Sequence, residues 1–236
     1  MQFILMHKMN DELEKGLPPR PEEMAAIGAM MGEAVKKGLM RGGEGLKPTA
    51  QRLHLAYVDG KRTMKTPPFE GRGELVAAYA LFVVRSKEEA LACCDRYAAA
   101  AGDVELFLGP VVENWDLGFA PKPDDAPLRF LITRLADARS ESDAPMDPKL
   151  DAVLAKMTTE GTLQTSGRLK SSKRGTRIRA RGGKSTVLDG PFAESKELIG
   201  GFAIFELPSM EEAVIWGKRF AETIAVDEVE IREMAD

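Results

Sequence analysis

The chain has 236 residues, enough for one large domain or two of roughly 110–120 residues. At 44% hydrophobic and 30% charged it can bury real cores under an ordinary polar surface, and a net charge of −4 gives no global case for a nucleic-acid binder. No apolar run approaches the ~20 residues of a membrane helix, and the start Met1–Lys8 lacks the basic flank and cleavage site of a signal peptide.

An apolar strand is predicted over 2–7, followed by a helix over 21–37 that opens on Pro21 with Glu22 and Glu23 in its first turn and closes at Gly38. Met24, Ile27, Met31 and Val35 form its predicted inward stripe. A strand over 39–47 leads to a hairpin of 52–58 with 61–66, turning at Asp59-Gly60. After an apolar strand at 75–84, the capping box Ser86-x-x-Glu89 opens a second helix, and a strand at 104–108 ends the series. Cys93 and Cys94 fall on a packed face of that helix; adjacent cysteines rarely bridge, so they read as reduced thiols of a cytoplasmic protein. The stretch 113–127 is rich in Pro and Asp, with Trp115 and Phe119 expected to pack its first half onto a domain.

The series then repeats: strand 128–134, helix 148–160 capped by Asp147, strand 162–170, hairpin 175–181 with 184–188 turning at Gly182-Gly183, strand 198–207, capping box Ser209-x-x-Glu212, and strand 228–232. Sliding the chain on itself puts Phe3-Ile4-Leu5 on Phe130-Leu131-Ile132 at an offset of 127. From Gly38 onward the offset is 123, with Leu46-Lys47 on Leu169-Lys170, Pro68-Phe69 on Pro191-Phe192 and Glu88-Glu89-Ala90 on Glu211-Glu212-Ala213. The lost four residues are about one helical turn, so the same face stays inward. The predicted organisation is a first unit at 1–117, a linker at 118–127 and a second unit at 128–236. Each unit reads as a ferredoxin-like α+β layer, and two of them would cover each other's bare sheet face as an intramolecular pseudo-dimer.

The string Asp189-Gly190-Pro191-Phe192-Ala193-Glu194-Ser195-Lys196-Glu197-Leu198 resembles the signature of the YCII-related family, in its DGPF branch; the first unit has Thr66-Pro67-Pro68-Phe69 instead. Glu44-Gly45-Leu46 and the opening strand Phe3-Ile4-Leu5-Met6 are similar to that family as well. The resemblance implies a dimeric α+β barrel. It also implies a catalytic histidine early in the first helix, where this chain has Arg20-Pro21-Glu22-Glu23 and, in the second unit, Leu150. That departure speaks against the dehydrochlorination associated with one branch. The DGPF branch further implies a regulatory link to extracytoplasmic-function sigma factors.

The candidate ligand-binding residues are Asp189, Gly190, Pro191, Phe192, Glu194 and Lys196. They read either as turn chemistry or as polar groups at the mouth of a cleft. Glu23 and His7 are the candidate bases, since both should lie toward the cleft between sheet and helices, while His54 reads as a surface or core histidine. Neither metal-ligand spacing nor a phosphate-binding or dinucleotide fingerprint occurs, so no metal or cofactor is expected. The basic run Arg168, Lys170, Lys173, Arg174, Arg177, Arg179, Arg181, Lys184 reads as a solvated hairpin, or as a surface for an acidic partner or phosphate-bearing ligand. The expected function is binding of a small polar molecule, with enzymatic activity left open. The alternative is an interaction or regulatory protein engaging a sigma factor or another acidic protein, with further homodimerisation left open.

Overall fold

The computed structural model describes residues 1–69, 74–181, 184–193 and 197–235. In chain order the first part runs strand β1 (Gln2–Lys8), short helix α1 (Asp11–Glu14), helix α2 (Pro21–Lys36) and strand β2 (Met40–Gly45). Hairpin β3 (Leu53–Val58) and β4 (Lys61–Lys65), β5 (Val76–Val84), α3 (Lys87–Ala101) and β6 (Val104–Pro110) complete it. The second part runs β7 (Leu128–Leu135), α4 (Pro148–Thr159), β8 (Leu163–Leu169), and the hairpin β9 (Thr176–Arg181) and β10 (Lys184–Asp189). It ends with β11 (Ile199–Glu206), α5 (Met210–Thr223) and β12 (Glu228–Ala235).

Local chemistry sets these boundaries. The Ser86 and Ser209 hydroxyls accept the Glu89 and Glu212 N–H groups at 3.2 and 3.4 Å, and Asp147 accepts the Lys149 N–H at 2.9 Å. Each satisfies a donor that the first helical turn leaves without a partner. Asp59 and Gly60 both adopt positive φ, as a two-residue hairpin turn with the twist of its strands requires. The Gly182-Gly183 turn lies outside the described residues.

The strands form one 12-stranded antiparallel sheet among the described residues. One half has the order β2-β11-β1-β12-β9-β10 and the other β8-β5-β7-β6-β3-β4. The halves interconvert when every element is exchanged for its counterpart in the other sequence segment. Each half therefore draws on both segments: β1 lies between β11 and β12, and β7 between β5 and β6. A reading of 1–117 and 128–236 as self-contained sheets does not anticipate this exchange. The halves meet at two matching corners, Leu169 against Met234 and Leu46 against Val111. The register pairs Leu53 with Leu108 and Thr176 with Ile231, which extends the offset of 123 through the last strand, one residue from the expected alignment.

Strand alternation sorts the side chains into three cores. Phe3, Leu5 and Phe205 face α5 and the buried Met30 and Ala34 of α2. Phe82, Phe130 and Ile132 face α3 and α4. Ile4, Met6, Leu81, Leu131, Phe202 and Ile204, from both halves of the sheet, form the third. Cys93 and Cys94 are buried free thiols on α3, and burial pushes both thiols up. The α2 stripe differs from expectation: Met30 and Ala34 are buried, whereas Val35 is 62% exposed. At 100° per residue, Ile27, Met30, Met31 and Ala34 share one arc and Val35 falls on its flank. In the connecting segment Trp115 is half-buried, but Phe119 is exposed. Hydrogen bonds from Lys47 to Asp116 and from Arg129 to Glu113 hold that segment only as far as its first turns.

Candidate functional site

Three neighbouring strands place Arg134 on β7, Ala78 on β5 and Arg168 on β8 in one row, since Ala78 pairs with both arginines. The row continues the face that carries Phe82 and Phe130, so it points toward α3 and α4. The small alanine leaves a gap between two long cationic side chains. There a cavity of about 140 Å³ opens, walled by Ala77, Ala101, Leu150 and Leu169 and roofed by Pro145 and Met146 of the 136–147 segment. Arg139, Lys170 and Arg174 stand at its rim with Asp143 and Asp147, an excess of positive charge.

The rim charges are largely committed. Lys170 and Arg174 pair with Glu233, and Arg139 lies 3.9 Å from Asp147, the α4 cap. Arg168 donates to the Ala144 carbonyl at 3.1 Å. Arg134 pairs with Asp137 at 2.6 Å through Nη2, yet its buried Nε has no hydrogen-bond partner among the described residues. Such an orphaned donor costs free energy unless something else meets it. The Tyr97 hydroxyl lies against Arg134; burial pushes the phenol up while the guanidinium draws it back, so Tyr97 stays a neutral donor near neutral pH. The lining can hold an anion or stabilise negative charge developing on an oxygen.

The roof is anchored from below. Glu141 accepts from the Ser172 N–H at 3.1 Å on each carboxylate oxygen and from the Ser172 hydroxyl, while Asp143 accepts the Ser171 N–H. The other half repeats the device: Glu14 accepts the Thr49 N–H at 2.9 Å and the Thr49 hydroxyl at 2.7 Å. The signal was present in the sequence, since Glu14 aligns with Glu141 and Thr49 with Ser172.

The DGPF residues stand one layer behind the cavity rather than in its lining. Asp189 ends β10 and accepts weakly from Thr176 at 3.3 Å. A Cβ on Gly190 would sit 1.8 Å from the Ser172 carbonyl oxygen, so only glycine lets Pro191 and Phe192 approach that turn. The Phe192 N–H donates to Ser172 Oγ at 3.3 Å, and the Phe192 ring stacks on Arg177 at 4.3 Å. The loop thus bears on the serine turn that anchors the cavity roof. Glu194 and Lys196 lie outside the described residues.

Glu23 and His7 are not brought together. The Glu23 carboxylate accepts from the Arg20 N–H and guanidinium at the start of α2, which holds it below the usual carboxylate range. His7 occupies the counterpart of Arg134, in the row His7–Gly201–Gly45, with Phe220 where the other half has Tyr97. Its ring fills the space above Gly200 and Gly201, where an added Cβ would meet it within 2.6–2.9 Å. Although the residue keeps some surface exposure, these close contacts desolvate the ring and bring its pKa down to about 4. A histidine depressed below its unfolded value of 6.5 is fully stabilising above pH 6.5 and loses that contribution as pH falls toward 4. Between pH 6.5 and 4.5 the unfolding free energy should therefore drop by about 2 kcal/mol. His7→Gln should flatten that limb in urea titrations; an unchanged slope would assign it to other groups.

Within the basic run, Lys170, Arg174, Arg177 and Arg179 are paired with carboxylates of the same chain. Arg177 is buried and pairs with Glu230 at 2.7 Å, and Arg179 pairs with Glu228 at 2.8 Å, both carboxylates on the adjacent β12. His54, the counterpart of Arg177, is buried against Phe107 and bonds Glu105 at 2.8 Å. No group of three or more His, Cys, Asp or Glu is placed to hold a metal, and no helix is long and apolar enough to cross a membrane, among the described residues.

Comparison with known proteins agrees with the second segment's motif. An uncharacterised protein of Rhizobium meliloti (strain 1021) is 35% identical over 74 residues, covering 31% of this chain and 60% of that protein. The chain thus spans less than two thirds of that relative's length. No solved structure matches it significantly. Residues 128–235, from β7 through β12, match the YCII-related domain family.

Proposed function

We propose that the chain is an internally duplicated YCII-related α+β barrel, with strands exchanged between its copies, that binds a small polar molecule in the cavity over Arg134–Ala78–Arg168. The observation that carries this reading is the difference between two equivalent positions. One has two arginines around a gap, with a phenol packed behind Arg134. The other has a desolvated imidazole and a phenyl ring over glycines. A packed structural corner needs no cavity, and a buried donor without a partner marks a place where a ligand or water belongs. The duplication is supported by the matching strand orders and by the paired devices Glu14–Thr49 and Glu141–Ser172. The basic hairpin lends the acidic-partner reading less support, because β12 already meets its buried charge.

A thermal-shift panel of small metabolites tests the proposal, since a ligand of the folded state must raise the melting temperature. Ala78→Phe fills the gap and should abolish every specific shift. Shifts that survive Ala78→Phe would sink the cavity reading.

A further inference from the structure

We infer that the ligand of this cavity is a small organic carboxylate, held at the end lined by Arg134 and Arg168; this rests on the cavity reading above. The size of the cavity, about 140 Å³, admits a molecule of only a few heavy atoms. Arg134 lines the cavity, and its Nε is buried without a partner among the described residues, on the same guanidinium whose Nη2 is already held by Asp137. A guanidinium offers its Nε–H and one Nη–H in parallel, the fork that a carboxylate meets with both oxygens. The Asp137 bond fixes the plane of that fork without using the Nε. The Tyr97 hydroxyl lies against Arg134 from the core, outside the cavity lining, and acts on the ligand only by positioning that guanidinium.

The remaining walls decide between carboxylate and inorganic oxyanion. Arg168 and the paired rim charges lie to one side, while Ala77, Ala78, Ala101, Met146, Leu150 and Leu169 form an apolar side where the further oxygens of a phosphate would lose hydration without compensation. A carboxylate with a short apolar body would satisfy the fork at one end and displace water from those walls at the other. The counterpart position lacks both the fork and the phenol behind it, having His7 for Arg134 and Phe220 for Tyr97, so one carboxylate is expected per chain.

The test is calorimetric titration of the full chain with acetate, propanoate, butanoate and benzoate, against propanamide and inorganic phosphate. Binding should strengthen from acetate to the longest body that fits, and propanoate should exceed propanamide by roughly tenfold or more, as expected for an ionic fork over a neutral contact. Arg134→Gln should weaken propanoate roughly tenfold or more, and Tyr97→Phe by a few-fold. Arg134→Lys keeps the charge but not the fork and should fall between wild type and Gln. Unfolding midpoints identify a variant that fails through folding, in which case the propanoate-to-propanamide ratio on the wild type decides alone. Equal binding of amide and carboxylate, tighter binding of phosphate, or no binding of any carboxylate overturns the inference. If a neutral probe binds and Ala78→Phe removes it, the cavity reading stands and only the carboxylate fails. If every bound probe ignores Ala78→Phe, the cavity reading falls first.

Discussion

Glu74→Ala should be the most destabilising single substitution of a polar residue in this chain, lowering the unfolding free energy by about 3–5 kcal/mol. Glu74 is fully buried between the two halves of the sheet, where it accepts the Thr133 hydroxyl and, at 2.6 Å, the Ile199 N–H. Both donors belong to the other sequence segment, and the guanidinium of Arg52, itself buried, feels the Glu74 charge. Alanine would leave a buried amide and a hydroxyl without acceptors and an arginine without its counter-charge. At this chain length the loss corresponds to a melting temperature lower by roughly 6–15 °C. Its sequence counterpart Glu197 is exposed, so Glu197→Ala should stay within about 0.5 kcal/mol. Urea denaturation of the two variants checks the contrast; equal effects would mean that Glu74 is not the tie across the halves.

The second large effect is a coupling rather than a loss. Arg52 faces Gly109 across β3 and β6, and in the other half Gly175 faces Arg232 across β9 and β12. At the common offset the arginine and the glycine have traded strands. Both guanidinium groups nevertheless reach equivalent carbonyls: Arg52 donates to Lys47 O at 3.0 and 2.9 Å, and Arg232 donates to Lys170 O. Arg52→Gly removes that bond and the one to Ile199 O at 2.7 Å, leaving a void as well, for about 3 kcal/mol. Gly109→Arg alone drives a second side chain into Arg52, whose Cγ and Cδ would lie 3.0 and 3.2 Å from a Cβ at that position, and should cost at least about 2 kcal/mol. The double variant rebuilds the arrangement of the other half and should cost less than about 1 kcal/mol, a coupling energy of several kcal/mol. Additive losses would mean that the two arginines do not serve one purpose.

Much of the fold was legible in the chain. Apolar alternation in Phe3–Met6 and Val76–Val84, the serine caps at Ser86 and Ser209, and the Asp59-Gly60 turn each specify local structure by their own chemistry, so the expected elements fall within one or two residues of their places, save the last strand, which runs three residues further. The exchange of strands was not legible. A strand such as Phe3-Ile4-Leu5 presents the same pattern to β5 and β6 as to β11 and β12, because the copies carry equivalent apolar faces. Pattern fixes which face is buried, not which copy supplies the neighbour. The cavity was hidden for a related reason: Ala78 lies in one segment and Arg134 and Arg168 in the other, and only pairing makes them a row. The DGPF string stood out through its unusual residues, which the packing of Gly190 and Phe192 on Ser172 accounts for.

The exchange also gives the chain a direction in time. All strands of one half, β3 through β8, lie in the continuous stretch 53–169, whose pairings link neighbours in sequence. That half can close while the rest is still being synthesised. β1 precedes that stretch, whereas its partners β11 and β12 follow it. A nascent chain must therefore carry the apolar Phe3, Ile4, Leu5 and Met6 without these partners until β11 and β12 have been made, which makes β1 a segment in need of shielding.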